Sequence, residues 1–267
     1  MTVEKVALVT GASRGIGAAL ARALATEGYA VACAARSTRD HPQPTSGTLD
    51  DVVDRIRNAG GRAVGIPVDL ADRTQVAEMI ETTVAELGRL DVLENNAAAG
   101  GIGGLEIPLD VHDRIVAVNL DAPFVASRHA VPHLRAAGGG RILNVSSLVA
   151  LRAIPVTITS TSYGIAKIGV ERMTVDLARQ LAPDHIAVNC FRVDAPVGSE
   201  GARAHMPEAD FRDWEAPEVA AEGLLWMLRQ PVSYTGRLES MTHLSRREGV
   251  MNTVAGRSDR LPPTTFP

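Results

Sequence analysis

Apolar runs of five to seven residues alternate along this chain with longer stretches whose apolar positions recur every three to four residues. The first run, KVALVT (5–10), precedes a helical stretch from about Ile16 to Glu27. YAVACAA (29–35) precedes 48–59, RAVGIPV (62–68) precedes 72–87, and DVLEN (91–95) precedes 109–136. RILNVS (141–146) leads to 161–181 and IAVNCF (186–191) to 217–229, with a weaker last strand near 237–241. Short apolar strands separated by helices of this length are βαβ units. The pattern therefore predicts an α/β fold: a single-domain, Rossmann-type, doubly wound parallel sheet with helices on both faces and right-handed crossovers. No linker interrupts the alternation, so one domain is expected over 1–255, followed by a polar, Pro-rich tail at 256–267. STRDHPQPTSGT (37–48) is longer than an ordinary strand-to-helix connection and reads as a functional or mobile loop.

Composition narrows the class without naming a chemistry. Hydrophobic residues make up 45% of the 267 and aromatics only 3%, so the core must be mostly aliphatic, as in sheets covered by helices. A formal charge of −4, from 27 basic and 31 acidic residues, argues against a nucleic-acid or anionic-membrane surface. No apolar run approaches the ~20 residues needed to span a bilayer, and the first strand begins almost at once, so a soluble, cytoplasmic protein is expected. The two cysteines, Cys33 and Cys190, sit in strand-like runs and read as buried free thiols in a reducing compartment. No His/Cys spacing suggests a metal site.

Chemistry enters at TGASRGIG (10–17), between the first strand and the first helix. Gly11 permits the tight turn, Gly15 lets the backbone approach a pyrophosphate, and Gly17 lets the helix pack closely, with Ser13, Arg14 and Ile16 completing the turn. The helix N-terminus offers free N–H groups to phosphate. A dinucleotide is expected here, and the end of the second strand decides which one. That end reads Ala34-Ala35-Arg36 and has no acid for a ribose 2′-hydroxyl. Arg36, with Arg14 as a second candidate, can instead grip a 2′-phosphate, so NADP(H) is the expected cofactor. The third strand ends in Val68-Asp69-Leu70. Asp69 can accept from an adenine amino group or cap the next helix, although Asp72 is better placed to cap.

Beyond this turn the chain resembles the short-chain dehydrogenase/reductase family, over about residues 5 to 236. TGASRGIG, VNL (118–120), NVSS (144–147) and Tyr163-Gly-Ile-Ala-Lys167 follow one another in that family's order, and Tyr234-Thr235-Gly236 closes the match. The loop after the second strand adds a weaker likeness to hydroxysteroid dehydrogenase-like proteins. The resemblance implies an NADP(H)-dependent oxidoreductase that moves a hydride between nicotinamide and a carbonyl or secondary alcohol. It implies Tyr163 as proton donor and acceptor, and Ser147 as donor to the substrate oxygen, with Ser146 adjacent and able to bond locally. It also implies that Lys167 grips the nicotinamide ribose and tunes the phenol. Asn119 would hold a water in a proton relay, or serve only as a structural helix asparagine. Asn96, Ala97 and Val197 would line the cofactor. The residue types suit these roles. A free phenol, with pKa ~10, is a poor base at neutral pH, and a nearby ammonium lowers that value. Lys167 stands four residues after Tyr163, on the same helical face. The implied partners are a small, rather apolar carbonyl or alcohol substrate and further copies of the chain. A homodimer or homotetramer would pair through the helices at 109–136 and 161–181. An NADP(H)-sensing module without turnover is the alternative on the same fold.

Departures from the family pattern stand out at four places. Ala98 replaces a glycine after Asn95-Asn96-Ala97, and Glu94 stands where an aliphatic residue is usual. A buried carboxylate there is costly unless paired or protonated. RAIPVTITST (152–161) lengthens the Ser147–Tyr163 connection and is expected to line the substrate pocket. Val193-Asp194 replaces the Pro-Gly beside the nicotinamide carboxamide, with Ser199 in place of a threonine. ESMTHLSRREGV (239–250) replaces the usual last strand and Gly-rich end, which alters the subunit interface built there.

Overall fold

Seven parallel strands form one sheet in a computed structural model that describes residues 4–101, 103–151 and 161–255. They are β1 (Val6–Thr10), β2 (Ala30–Ala35), β3 (Ala63–Pro67), β4 (Val92–Asn95), β5 (Gly140–Ser147), β6 (Ile186–Val193) and β7 (Leu238–Ser240). The described helices are α1 (Gly15–Thr26), α2 (Leu49–Asn58), α3 (Arg73–Leu87), α4 (Leu109–Val116), α5 (Ala122–Ala136), α6 (Thr161–Leu181), α7 (Glu200–His205), α8 (Pro217–Arg229), α9 (Met241–Glu248) and α10 (Asn252–Ala255). The strand order is β3-β2-β1-β4-β5-β6-β7. The chain thus winds outward one way from β1 and then the other way from β4. This reversal opens a crevice at the carboxyl ends of β1 and β4, where open α/β sheets bind ligands.

The expected helix-covered sheet is what forms. β1 and β2 are buried at every position, which is why their sequences show no polar alternation. Leu20 and Leu24 of α1, Val52 and Ile56 of α2, and Leu224 and Met227 of α8 cover one face. Met79 and Ile80 of α3, Ala126 and Leu134 of α5, and Leu181 of α6 cover the other. Cys33 and Cys190 are buried free thiols within strands, and burial pushes each up to about 12. Among the described residues no helix is long and apolar enough to cross a membrane.

Local chemistry sets the boundaries. Asp72 caps α3 by accepting from Thr74 N at 2.8 Å and Gln75 N at 3.3 Å, which leaves Asp69 free of that duty. The stretch read as one helix over 109–136 carries a π-helical turn at Ala117–Asp121 between α4 and α5, and this turn buries Asn119. α7 is too short to leave a periodic signal in sequence; Ser199 starts it by accepting from Ala202 N at 3.2 Å. The divergent stretch 239–250 begins in β7 and continues as α9, capped by Ser240. Asp194, buried at the end of β6, accepts from Thr242 N at 3.0 Å and from the Thr242 hydroxyl. The replacement of Pro-Gly by Val193-Asp194 therefore fastens α9 to the sheet. Residues 152–160 of the insert and the tail at 256–267 lie outside the described residues.

Glu94 is fully buried in β4, in register with Val9 of β1 and Leu143 of β5. Neither carboxyl oxygen has a hydrogen-bond partner among the described residues. Burial raises its pKa well above the ordinary glutamate range, against the opposing charge of Lys167. The folded protein thus holds a proton that the unfolded chain releases near pH ~4.3. Stability from this group is greatest below that value and is lost as pH rises towards the folded pKa. Glu94→Leu should stabilise the fold by roughly 1–3 kcal/mol, and by more at about pH 8 than at about pH 5. Melting curves of both proteins across this range would check it; an equal difference at every pH would contradict the account.

Candidate active site

The floor of the crevice is a knot between the ends of β1 and β4. The Thr10 hydroxyl donates to Glu94 O at 3.1 Å and accepts from Asn96 N at 3.0 Å and Ala97 N at 3.2 Å. Asn96 Nδ2 returns a bond to Thr10 O at 2.9 Å. Two glycines let the chain pass so close. A Cβ on Gly11, where φ is +67°, would lie 2.8 Å from Ala97 Cα. A Cβ on Gly17 would lie 2.4 Å from Asn96 Nδ2 and 2.5 Å from Gly11 O. All three distances are below any real contact, so each position requires glycine. The turn then opens α1 towards the crevice, with its first N–H groups facing out.

The other wall comes from β5 and α6. Ser147, at the end of β5, is hydrogen-bonded to the Tyr163 hydroxyl. Lys167 lies one turn further along α6, its Nζ 5.5 Å from the Tyr163 ring centroid and donating to Val145 O at 2.8 Å. Ser146 points elsewhere: its buried hydroxyl donates to Glu171 Oε1 at 2.7 Å. Arg192 of β6 binds the same carboxylate through Nε at 2.9 Å and Nη2 at 2.8 Å. Of the two adjacent serines, only Ser147 meets Tyr163 in this way. Ser146 belongs to a buried ion pair behind the wall.

Burial sets the protonation of this pair. Loss of solvent pushes the Tyr163 phenol up to about 12, although Ser147 works the other way. The same effect pulls Lys167 down to about 8, opposed by the negative charge of Glu171. The expected lowering of the phenol by Lys167 is therefore not what this state displays. The Lys167 ammonium is turned to a backbone carbonyl, and desolvation dominates at the hydroxyl.

At the far end of the crevice, Arg14 Nη2 donates to Gly47 O at 3.1 Å while its buried Nε has no partner among the described residues. Burial lowers the Arg14 pKa, the Glu200 carboxylate opposes this, and neighbouring Arg36 adds to the lowering. Two cations side by side with a spare donor form a site suited to an anion. The long loop folds back here, with Ser37 Oγ donating to Gly47 O at 2.8 Å. Asp69 is held by Ala71 N and by Arg114 Nη2, each at 3.0 Å; these bonds keep its carboxyl below the usual range against the opposing effect of burial.

One cleft of about 640 Å³ joins the two ends. Gly11, Ser13, Arg14, Gly15, Ile16, Arg36, Asp69, Leu70, Asn96, Ala97, Ser147, Tyr163, Lys167 and Val197 all border it. Gly17 does not line the cleft; it supports the turn from within. Asn119 sits behind, its Nδ2 donating to Ala99 O and Ile115 O at 2.8 Å each. Its buried Oδ1 has no partner among the described residues. Sequence reasoning did not name Thr10, Arg114, Gln43, Thr45, Ala202 or Met206. The length of the loop at 37–48 was the one signal for Gln43 and Thr45. A Gly-rich cradle and a helix N-terminus at the mouth of the cleft fit a dinucleotide.

Known proteins place this geometry. The sequence model of the short chain dehydrogenase family matches residues 5–211. Hydroxysteroid dehydrogenase-like protein 2 of Danio rerio is 30% identical over 243 residues, a match that takes in 91% of this chain and 58% of that protein. The chain thus spans less than two thirds of that relative's length. Cis-4-hydroxycyclohexanecarboxylate dehydrogenase of Sinomonas cyclohexanicum is 39% identical over 191 residues, covering 70% of this chain and 71% of the relative. A solved structure described as a putative NAD(P) dependent gluconate 5-dehydrogenase from Beutenbergia cavernae, with bound NADP at low occupancy, superposes with a TM-score of 0.76. It is 27% identical, and the match covers 89% of this chain and 94% of that one. With the sheet order, the Gly-rich turn and the Ser147–Tyr163–Lys167 wall in one crevice, the chain belongs to the short-chain dehydrogenase family of oxidoreductases.

Proposed function

We propose that this protein is an NADP(H)-dependent oxidoreductase that interconverts a carbonyl and a secondary alcohol. The observation that carries the reading is the Tyr163 hydroxyl, bonded to Ser147 with Lys167 one turn away, in the same cleft as the Gly-rich turn. Nicotinamide, when bound, supplies or takes up the hydride. The chain's own groups handle the oxygen and its proton. Ser147 donates to the substrate oxygen and stabilises its developing charge. In reduction the Tyr163 phenol, neutral at ordinary pH, gives its proton to that oxygen; in oxidation the phenolate takes it back. Lys167 leaves Val145 O to grip the nicotinamide ribose. Asn119 offers its unpartnered Oδ1 to a water that links Lys167 to solvent.

Preference for NADP(H) rests on Arg36 and Arg14 at the end of β2 and in the turn, with no acid at 34–36. Gln43 and Thr45 border the same end of the cleft. On the substrate side, Val193 and Met206 give the wall an apolar character. The relative from Sinomonas cyclohexanicum is named for a cyclic secondary alcohol that also carries a carboxylate, and the apolar wall here suits the ring of a cyclic ketone or alcohol. Self-association is part of the reading: Phe124 of α5 and Ile165 and Ile168 of α6 leave apolar surface exposed on the two long helices. Light scattering should give a dimer or tetramer at micromolar concentration, and a stable monomer would contradict this.

Steady-state kinetics with NADPH and NADH, supported by melting curves and cofactor titrations, test the assignment. Tyr163→Phe keeps the ring and removes the proton, so turnover should fall by roughly 10²–10⁴-fold with NADPH affinity nearly unchanged. Lys167→Ala should weaken both. Arg36→Asp should move the kcat/KM preference from NADPH towards NADH. Oxidation should rise with pH because the phenol must lose its proton, whereas reduction should hold at neutral pH and below. Folded Tyr163→Phe protein working at the wild-type rate, or a wild type that favours NADH, would overturn the corresponding assignment.

A further inference from the structure

α7 rests directly on the Gly-rich turn. Glu200, its first residue, accepts a hydrogen bond at Oε2 from Gly15 N at 2.9 Å. Gly15 is the first residue of α1, and its φ is +57°. A Cβ on Gly15 would lie 3.1 Å from Ser199 Cβ and 3.9 Å from Glu200 Oε2, so the contact involves the chain on both sides. The carboxylate also faces Arg14, whose guanidinium responds to its charge. The segment that carries Glu200 is closed at its neck. Gly198 N donates to Glu215 O at 2.9 Å, and Glu215 N donates to Pro196 O at 2.8 Å. Within it the Arg203 guanidinium lies 4.5 Å from the Phe211 ring centroid, and that ring packs on Trp214.

A carboxylate on an N–H at a helix N-terminus takes the place that the turn offers to phosphate. One N–H serves one strong acceptor. A diphosphate brings two negative charges to the same spot, so Glu200 and the cofactor compete by hydrogen bonding and by charge. We propose that Glu200 is a built-in occupant of the diphosphate position, which must be displaced for the dinucleotide to bind and which thereby sets its affinity. The inference rests on the dinucleotide reading of the turn given above, and it assigns Glu200 a role opposite to that of a cofactor ligand. Because Glu200 is exposed, its effect is screened by salt.

Calorimetric titration of the full chain tests this with two probes. NADPH carries the diphosphate; adenosine 2′-monophosphate reaches the Arg36 end and lacks it. Glu200→Gln keeps an acceptor and removes the charge, while Glu200→Ala removes both. Both variants should bind NADPH roughly three- to tenfold more tightly than wild type, with the advantage shrinking in high salt. Adenosine 2′-monophosphate, which meets Glu200 only through its charge on Arg14, should tighten much less than NADPH does. NADPH affinity that is unchanged or weaker in both variants would overturn the proposal, as would equal tightening of both probes, which marks a general charge effect. If neither probe binds any of the three folded proteins, the dinucleotide reading fails and takes this inference with it.

Discussion

One hydroxyl holds the working end of this molecule together. Thr10 joins the ends of β1 and β4 by three hydrogen bonds, at the point where the sheet reverses its winding. Everything the cleft offers depends on that junction. It sets Asn96 against Gly11 and Gly17, and this contact fixes where the turn ends and where α1 begins. The start of α1 then borders the crevice at Gly15 and Ile16, and Arg14 and Arg36 line it as well. On the near side, pairing of β4 with β5 carries the register across to Ser147, and α6 brings Tyr163 and Lys167 over it. Thr10 is 3% exposed, so its bonds form away from the competing solvent that weakens surface hydrogen bonds.

The fold was largely legible because its signals are local and repeated. Each interior strand is a short aliphatic run, each long helix has an apolar stripe, and the two periods alternate without interruption. The turn and the Tyr163–Lys167 pair were legible for a similar reason, since their spacing within a single element reflects their geometry. What escaped the sequence depends on contacts between distant segments. That Ser146 bonds Glu171 while Ser147 bonds Tyr163 follows from where Arg192 lies, 45 residues beyond Ser147 on another strand. The anchoring of α9 by Asp194 spans a similar distance, 48 residues. α7 left no periodic pattern because it is six residues long. The Glu200–Gly15 contact joins residues 185 apart, and no motif spacing reports such a meeting.

Burial decides the charge state of the reacting end. Lys167, Glu94 and the Tyr163 hydroxyl are ionisable groups with little water around them, and each is pushed towards its neutral form. On the proposed reading, an uncharged phenol is the form that gives a proton to a carbonyl oxygen. Glu94 adds to the effect without joining it: it lies in the strand that leads into Asn95 and Asn96, with no hydrogen-bond partner among the described residues, where an aliphatic side chain would pack at lower cost. The buried Arg192–Glu171 pair is different, because both of its partners are hydrogen-bonded and it backs the wall that carries Ser147.

The central claim is that this cleft moves a hydride between nicotinamide and a carbonyl carbon. Label transfer tests it most directly. NADPH carrying deuterium at C4 of the nicotinamide, on the transferred face, would be incubated with the folded protein and a panel of cyclic ketones, and the products read by mass spectrometry. The account predicts an alcohol with one deuterium on its carbinol carbon. NADPH that binds but leaves its label in place with every ketone would contradict it.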